Sequence, residues 1–172
     1  MTRILGVDPG SVITGYGLID FRGAHIEHLH SGRIQVRGES LAQKLLMIFE
    51  ELCGVIDAHE PEVMAIEQVF MHRNAASALK LGQARGAALL AGVVRTLEVY
   101  EYTPRQVKQA VTGRGGATKE QVQHMIKVLL KLPHEPQADA ADALAVALSH
   151  GHVYATLTRI QAAEARARSQ SR

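Results

Sequence analysis

Apolar residues in this chain switch between strand-like runs and helical spacing. Residues 3–8 are an apolar run closed by Pro9-Gly10, which predicts a strand and a turn. Residues 14–20 form a second strand, in which Gly15 and Gly17 allow another backbone to come close. Residues 25–36 alternate loosely and make a third, and the short spacing predicts an antiparallel meander. Leu41, Leu45, Ile48, Leu52 and Val55 then recur at helical spacing, predicting a helix over 40–60 that Pro61 stops. The short run 63–67 reads as a buried strand.

Asn74 can cap a helix over about 75–97, and a brief strand follows at 99–102. Thr103-Pro104-Arg105-Gln106 has capping-box spacing with Pro at the first helical position, and opens a short helix. After the flexible loop 113–116, Thr118-Lys119-Glu120-Gln121 is a second capping box, starting a helix to about 132. A last helix covers about 138–154, and 155–172 reads as a loose basic tail. The order βββαβαβααα predicts an α/β protein. Its five-stranded mixed sheet is antiparallel at first, parallel in the strand–helix–strand units, and flanked by helices on both faces.

At 172 residues and 47% hydrophobic composition, one domain with a real core is expected, not a disordered or fibrous chain. No apolar run approaches the ~20 residues of a membrane span. No signal-peptide core precedes Asp8, and a single cysteine, Cys53, excludes an internal disulfide. A cytoplasmic protein is expected. The net charge is only +2 but is segregated. Residues 39–67 carry seven acids and one base, whereas Arg73, Lys80, Arg85 and Arg95 lie in an acid-free stretch over 71–95. Arg105, Lys108, Arg114, Lys119, Lys127 and Lys131 meet only Glu120 over 105–131. Such segregation suits a polyanion-binding face, with solvated helix faces as the plain alternative.

Four acids stand in unusual company. Asp8 and Glu67 end apolar strands, and Asp139 and Asp142 lie three apart on an Ala-rich helix, so they share a face. Each alone has an ordinary explanation: a turn starter for Asp8, a strand-end surface residue for Glu67, a helix-start acid for Asp139. Asp142, set among Ala140, Ala141, Ala143 and Leu144, is harder to dismiss. Together they point to chemistry. Carboxylates rarely sit in apolar strands unpaired, and ligands of α/β sheets gather at the carboxyl ends of strands. Converging acids repel one another unless a divalent cation binds them, and hard oxygen ligands suit Mg²⁺. Two such ions about 3.5–4 Å apart make a site for in-line displacement at phosphorus.

These residues also carry a resemblance. Leu5-Gly6-Val7-Asp8-Pro9-Gly10, Thr14-Gly15-Tyr16-Gly17, Ala65-Ile66-Glu67-Gln68-Val69-Phe70, Leu79-Lys80-Leu81-Gly82-Gln83-Ala84-Arg85-Gly86 and Asp139-Ala140-Ala141-Asp142-Ala143 resemble the RuvC family of bacterial Holliday-junction resolvases. Arg105-Gln106-Val107-Lys108-Gln109 and Gln123-His124-Met125 fit the same pattern. The resemblance covers nearly the whole chain except the tail. It implies an RNase H-like nuclease domain over 1–154, a homodimer, and paired nicking of four-way DNA junctions in recombination and repair. Two Mg²⁺ ions per subunit, with Mn²⁺ able to substitute, are implied as cofactors. So are 5′-phosphate and 3′-hydroxyl ends and a helicase partner complex of RuvA and RuvB. The family's four acids fall on Asp8, Glu67, Asp139 and Asp142, its two important lysines on Lys108 and Lys119, and its base-contacting aromatic on Phe70. Some relatives carry His at the third acid position, where this chain has Asp139.

DNA contacts are expected from Phe70, Arg73, Lys80, Arg85, Arg105, Lys108, Arg114, Lys119 and Lys127. Phe70, in a chain with no Trp, could wedge against an unstacked base; core packing is its alternative. Lys119, Gln123, Lys127 and Lys131 recur every four residues and so line one side of a helix. The helix at 75–97 is apolar most of the way round, with Gly82 and Gly86 one turn apart. A second copy of the helix could cover its outer side, or the chain's own elements could bury it. The pairs His28/His30 and His150/His152 lack a third ligand at zinc spacing, and Cys53 reads as core. Three rivals remain. An actin-like ATPase would need a second such domain. A non-catalytic junction-binding module would leave the acids idle. A ribonuclease specific for RNA–DNA hybrids would differ in substrate.

Overall fold

The computed structural model describes residues 1–23, 25–68 and 74–170, from residue 157 onward by backbone alone. Strands β1 (Thr2–Asp8), β2 (Ile13–Arg22) and β3 (His25–Gln35) form the antiparallel meander. Helix α1 (Leu41–His59) leads to β4 (Val63–Glu67), which lies parallel to β1, and α2 (Ala75–Val94) leads to β5 (Glu98–Tyr102), parallel to β4. The sheet order is therefore β3-β2-β1-β4-β5, with the first apolar strand at its centre. Helices α3 (Pro104–Thr112), α4 (Lys119–Leu129) and α5 (Ala138–Gln170) complete the chain.

Strand periodicity sorts the core into two layers. Ile4, Ile19, Phe21 and Ala65 pack with Val107, Val122, Ile126 and Leu144 beneath α3, α4 and α5. Leu5, Val7, Leu18, Met64 and Ile66 point the other way, onto Ile48, Leu52, Ala84 and Ala88 of α1 and α2. Helix starts follow their local signals. Ser40, Thr103 and Thr118 each close a reciprocal capping box, and the Asn74 side chain accepts from the amides of Ala76 and Ser77.

Two helix ends differ from expectation. Helix α4 stops at Leu129. Lys131 is left-handed (φ 52°) and the amide of Leu132 bonds back to the carbonyl of Lys127, so Lys131 leaves the basic stripe. Helix α5 continues beyond the expected end near 154 to Gln170. No Gly or Pro follows Gly151, and Ala, Leu, Arg and Glu are good helix formers. No helix among the described residues is long and apolar enough to cross a membrane.

Candidate active site

Along β1, Ile4 and Gly6 face α5, so by strand period Asp8 projects from that same face. Ala65 fixes the same phase in β4 and puts Glu67 beside it. The parallel register, ending with Val7 opposite Ile66, brings the two carboxylates to adjacent strand ends. Beyond Asp8 the turn is closed by Thr14, fully buried. Its hydroxyl donates to the carbonyl of Gly10 at 3.0 Å and accepts from that residue's amide at 3.2 Å. Thr14 stands in a motif that carries the family resemblance, but its turn-closing hydroxyl is set by the fold; a hydroxyl at a buried strand position is its signal in the sequence.

The helical pair of acids reaches this strand end because three glycines remove the side chains in the way. A methyl on Gly6 would collide with the carbonyl oxygen of Ala143, one on Gly15 with that of Asp139, and one on Gly17 with the Leu144 side chain. Helix α5 therefore rests directly on β1 and β2, as the two glycines of β2 suggested. Its first turns deliver Asp139 and Asp142, both half-buried, over Asp8.

Electrostatics couple the four acids. Burial pushes the Asp8 carboxyl up to about 7, and Glu67, Asp142 and Asp139 add repulsion. Burial, then Asp142, raises Glu67 to about 7 as well. Asp142 is also raised, by burial first, with Lys119 acting against it. Lys119 is the first residue of α4, behind the Thr118 cap, and its Nζ lies 3.4 Å from Asp142 Oδ2. Asp142, then Asp8 and Glu67, hold the Lys119 ammonium above its ordinary range. Lys108, on α3, is close enough to favour the charged forms of Glu67 and Asp142.

The donor set suits a divalent cation. Oxygen ligands are present in excess of positive charge, and two of them are forced toward the protonated state without one. Among the described residues no three His, Cys, Asp or Glu side chains are already drawn together as a metal cage.

The other expected contacts occupy several parts of the fold. Phe70 and Arg73 lie outside the described residues. Arg105 and Arg114 are exposed at the start of α3 and in the following loop, where Arg105 lies along Gly115, and Lys127 is half-buried on α4. Lys80 is exposed and shares with Lys44 the wall of a 470 Å³ cavity floored by Leu45, Ile48 and Ala84. Arg85 turns inward, toward the Glu67 backbone and Glu101. Cys53 is buried, and burial raises its thiol, which suits core rather than nucleophile. His150 bonds Tyr102, the ladder partner of Glu67, through Nδ1, and His30 stacks on His59.

Comparison with known proteins places the chain in a family. Residues 4–150 match the family model described as crossover junction endodeoxyribonuclease RuvC. The protein of that name from Tolumonas auensis is 58% identical over 160 residues, covering 93% of this chain and 92% of its own. The one from Marinobacter nauticus is 55% identical over 169 residues, covering 98% and 97%. RuvC of T. thermophilus, solved in complex with a Holliday junction substrate, superposes with a TM-score of 0.86 at 33% identity, covering 92% of this chain and 98% of that one. The yeast mitochondrial resolvase Ydc2 shares the fold alone, with a TM-score of 0.69 at 11% identity over 92% of this chain and 81% of its own. With its carboxylates at the ends of β1 and β4 and at the start of α5, on the RNase H-like sheet those resolvases share, this chain belongs to the RuvC family of crossover junction endodeoxyribonucleases.

Proposed function

We propose that this chain resolves four-way DNA junctions by metal-dependent hydrolysis of one phosphodiester per subunit. The gathering of Asp8, Glu67, Asp139 and Asp142, with Asp8 and Glu67 both pushed to about 7, carries this reading. Two Mg²⁺ ions, or Mn²⁺ in their place, would supply Lewis acidity for the attacking water and the departing 3′ oxygen. Asp8, at the sheet centre and coupled to all three other acids, would hold them together with Glu67 and the α5 pair, Asp139 and Asp142. Lys119 and Lys108 are the fixed cations for charge that grows on the phosphoryl oxygens. The products are a 5′ phosphate and a 3′ hydroxyl, ready for ligation.

A four-way junction offers two like strands, so two sites related by a two-fold axis suit it. Helix α2 supplies a surface for that pairing. Leu79, Gly82, Gly86, Leu90 and Val93 form one stripe, with Leu79 65%, Leu90 52% and Val93 59% exposed. Among the described residues nothing lies within 4 Å of a methyl placed on Gly82 or Gly86. Phe70, Arg73, Lys80, Arg105, Arg114 and Lys127 are assigned to DNA around the centre. RuvA and RuvB are the helicase partners that the family resemblance supports. The reducing cytoplasm suits the free, buried Cys53.

The test is cleavage of a labelled junction beside duplex and RNA–DNA hybrid of equal length, with Mg²⁺ and with EDTA. The junction should be cut in a Mg²⁺-dependent way, and Asp8→Asn should abolish cutting while keeping junction binding, since affinity rests largely on phosphate contacts. Activity in EDTA, full activity of the variant, or preference for the hybrid defeats the proposal.

A further inference from the structure

Arg85 stands on the side of α2 that faces the sheet, beside the buried Ala84 and one turn before the buried Ala88. Its side chain is only 19% exposed. A guanidinium stays charged at any working pH, so one placed here needs partners. It finds two, on two strands. Nε donates to the backbone carbonyl of Glu67 at 3.3 Å, and Nη2 ion-pairs with Glu101 Oε2 at 2.6 Å without a well-aligned hydrogen bond. Glu101 lies on β5, opposite Ile66 in the ladder. One arginine therefore brackets the ends of β4 and β5 from the α2 side.

The Glu67 carboxyl belongs to the opposite face of the sheet, with α5. Its charge is eased by Lys119 and Lys108 across that face. Arg85 reaches the same residue through its backbone. The last ladder bond of β4 is from the amide of Gln68 to the carbonyl of Tyr102, at 2.8 Å. The peptide between Glu67 and Gln68 is thus held by that bond on one side and by Arg85 on the other. Displacement of this peptide would carry the Glu67 Cα, and with it the carboxylate.

We propose that Arg85 is a positioning residue, which holds the Glu67 carboxylate in its metal-binding orientation by tethering the Glu67 carbonyl and Glu101 to helix α2. The proposal rests on the reading of Glu67 as a metal ligand. It also ties the catalytic strand to the helix assigned to dimer pairing, since Gly86 of the outer stripe is the next residue.

The experiment is calorimetric titration of Mg²⁺ and Mn²⁺ into the metal-free full-length chain, with junction affinity in EDTA and turnover at saturating junction measured alongside. Arg85→Ala should weaken metal binding about tenfold, the scale of a lost ligand support, and lower kcat similarly. Junction affinity in EDTA should stay within about twofold of wild type, set by phosphate contacts elsewhere. Arg85→Lys keeps the charge but not the fork, and should restore thermal stability without restoring metal affinity. Glu101→Gln should weaken metal binding by about threefold, the scale of a partly exposed ion pair. Normal metal affinity and kcat with weakened junction binding in Arg85→Ala would make Arg85 a DNA contact and overturn the proposal. If Arg85→Ala does not fold, Arg85→Lys and Glu101→Gln decide, and unchanged metal affinity in both overturns it. Glu67→Gln separates the two readings. Undiminished metal binding there defeats the ligand assignment itself, whereas its loss beside normal Arg85 variants defeats the tether alone.

Discussion

Gly15 is the ladder partner of Asp8 on β2, and on its α5 side it is the surface on which the backbone carbonyl of Asp139 rests. One missing side chain thus sets the separation between the strand acid and the helix acid. Gly15→Ala would push a methyl into a helix backbone, which has little room to give. The start of α5 should lift, with stability falling by about 2 kcal/mol. Cleavage should fall far more than junction binding. Denaturant melts beside single-turnover cleavage check this, and full activity would show that the close approach is unnecessary.

Metal binding should depend on pH in a defined direction. In an unfolded chain the Asp8 and Glu67 carboxyls titrate near 4. In the folded, metal-free chain both are raised to about 7, so the native state binds protons more tightly over that interval. Their contribution to stability is therefore fully present below pH ~4 and is lost as pH rises through about 7. Mg²⁺ should offset that loss. The rise in Tm on adding Mg²⁺ should be small at pH ~5.5, grow through about 7 and level off above pH ~8, with proton release on binding in between. A Tm shift independent of pH would contradict this electrostatic account.

Lys119→Ala should separate catalysis from stability. Its side chain is 77% exposed, and the 3.4 Å contact with Asp142 adds at most about 0.5 kcal/mol to stability. Removing a cation aimed at developing phosphoryl charge should lower turnover by about 100-fold. Lys108→Ala should act in the same direction. If junction binding falls in step with cleavage for either variant, that lysine is an ordinary backbone contact.

Gly86→Leu tests the pairing of α2 helices. The position is exposed, and among the described residues nothing stands within 4 Å of a methyl there, so a leucine meets no obstacle from them. Against a second copy it would act as a wedge. A monomer in sedimentation is expected, with junctions nicked on one strand but rarely resolved. A wild-type chain that is monomeric at micromolar concentration yet cuts both strands together would remove the basis for the dimer.

Sequence alone determined whatever depends on neighbouring residues. The capping boxes at Thr103/Gln106 and Thr118/Gln121, the turn after Asp8 and the phase of each strand are set by steric and hydrogen-bonding rules within a few residues. Asp8 and Glu67 were conspicuous because apolar strands tolerate carboxylates poorly, and Gly15 and Gly17 because a strand gains nothing from them locally. Tertiary structure decided what joins distant segments. It turned Arg85 inward to Glu67 and Glu101, where its charge had suggested DNA, because α2 packs closely enough on β4 for the guanidinium to reach a strand carbonyl. It left one stripe of α2 exposed while burying Ala84, Ala88 and Ala91, a division that the nearly uniform apolar pattern of the helix does not encode. It set Asp139 over Gly15, across more than a hundred residues of chain, because packing and not local propensity chooses which helix lies on which strands.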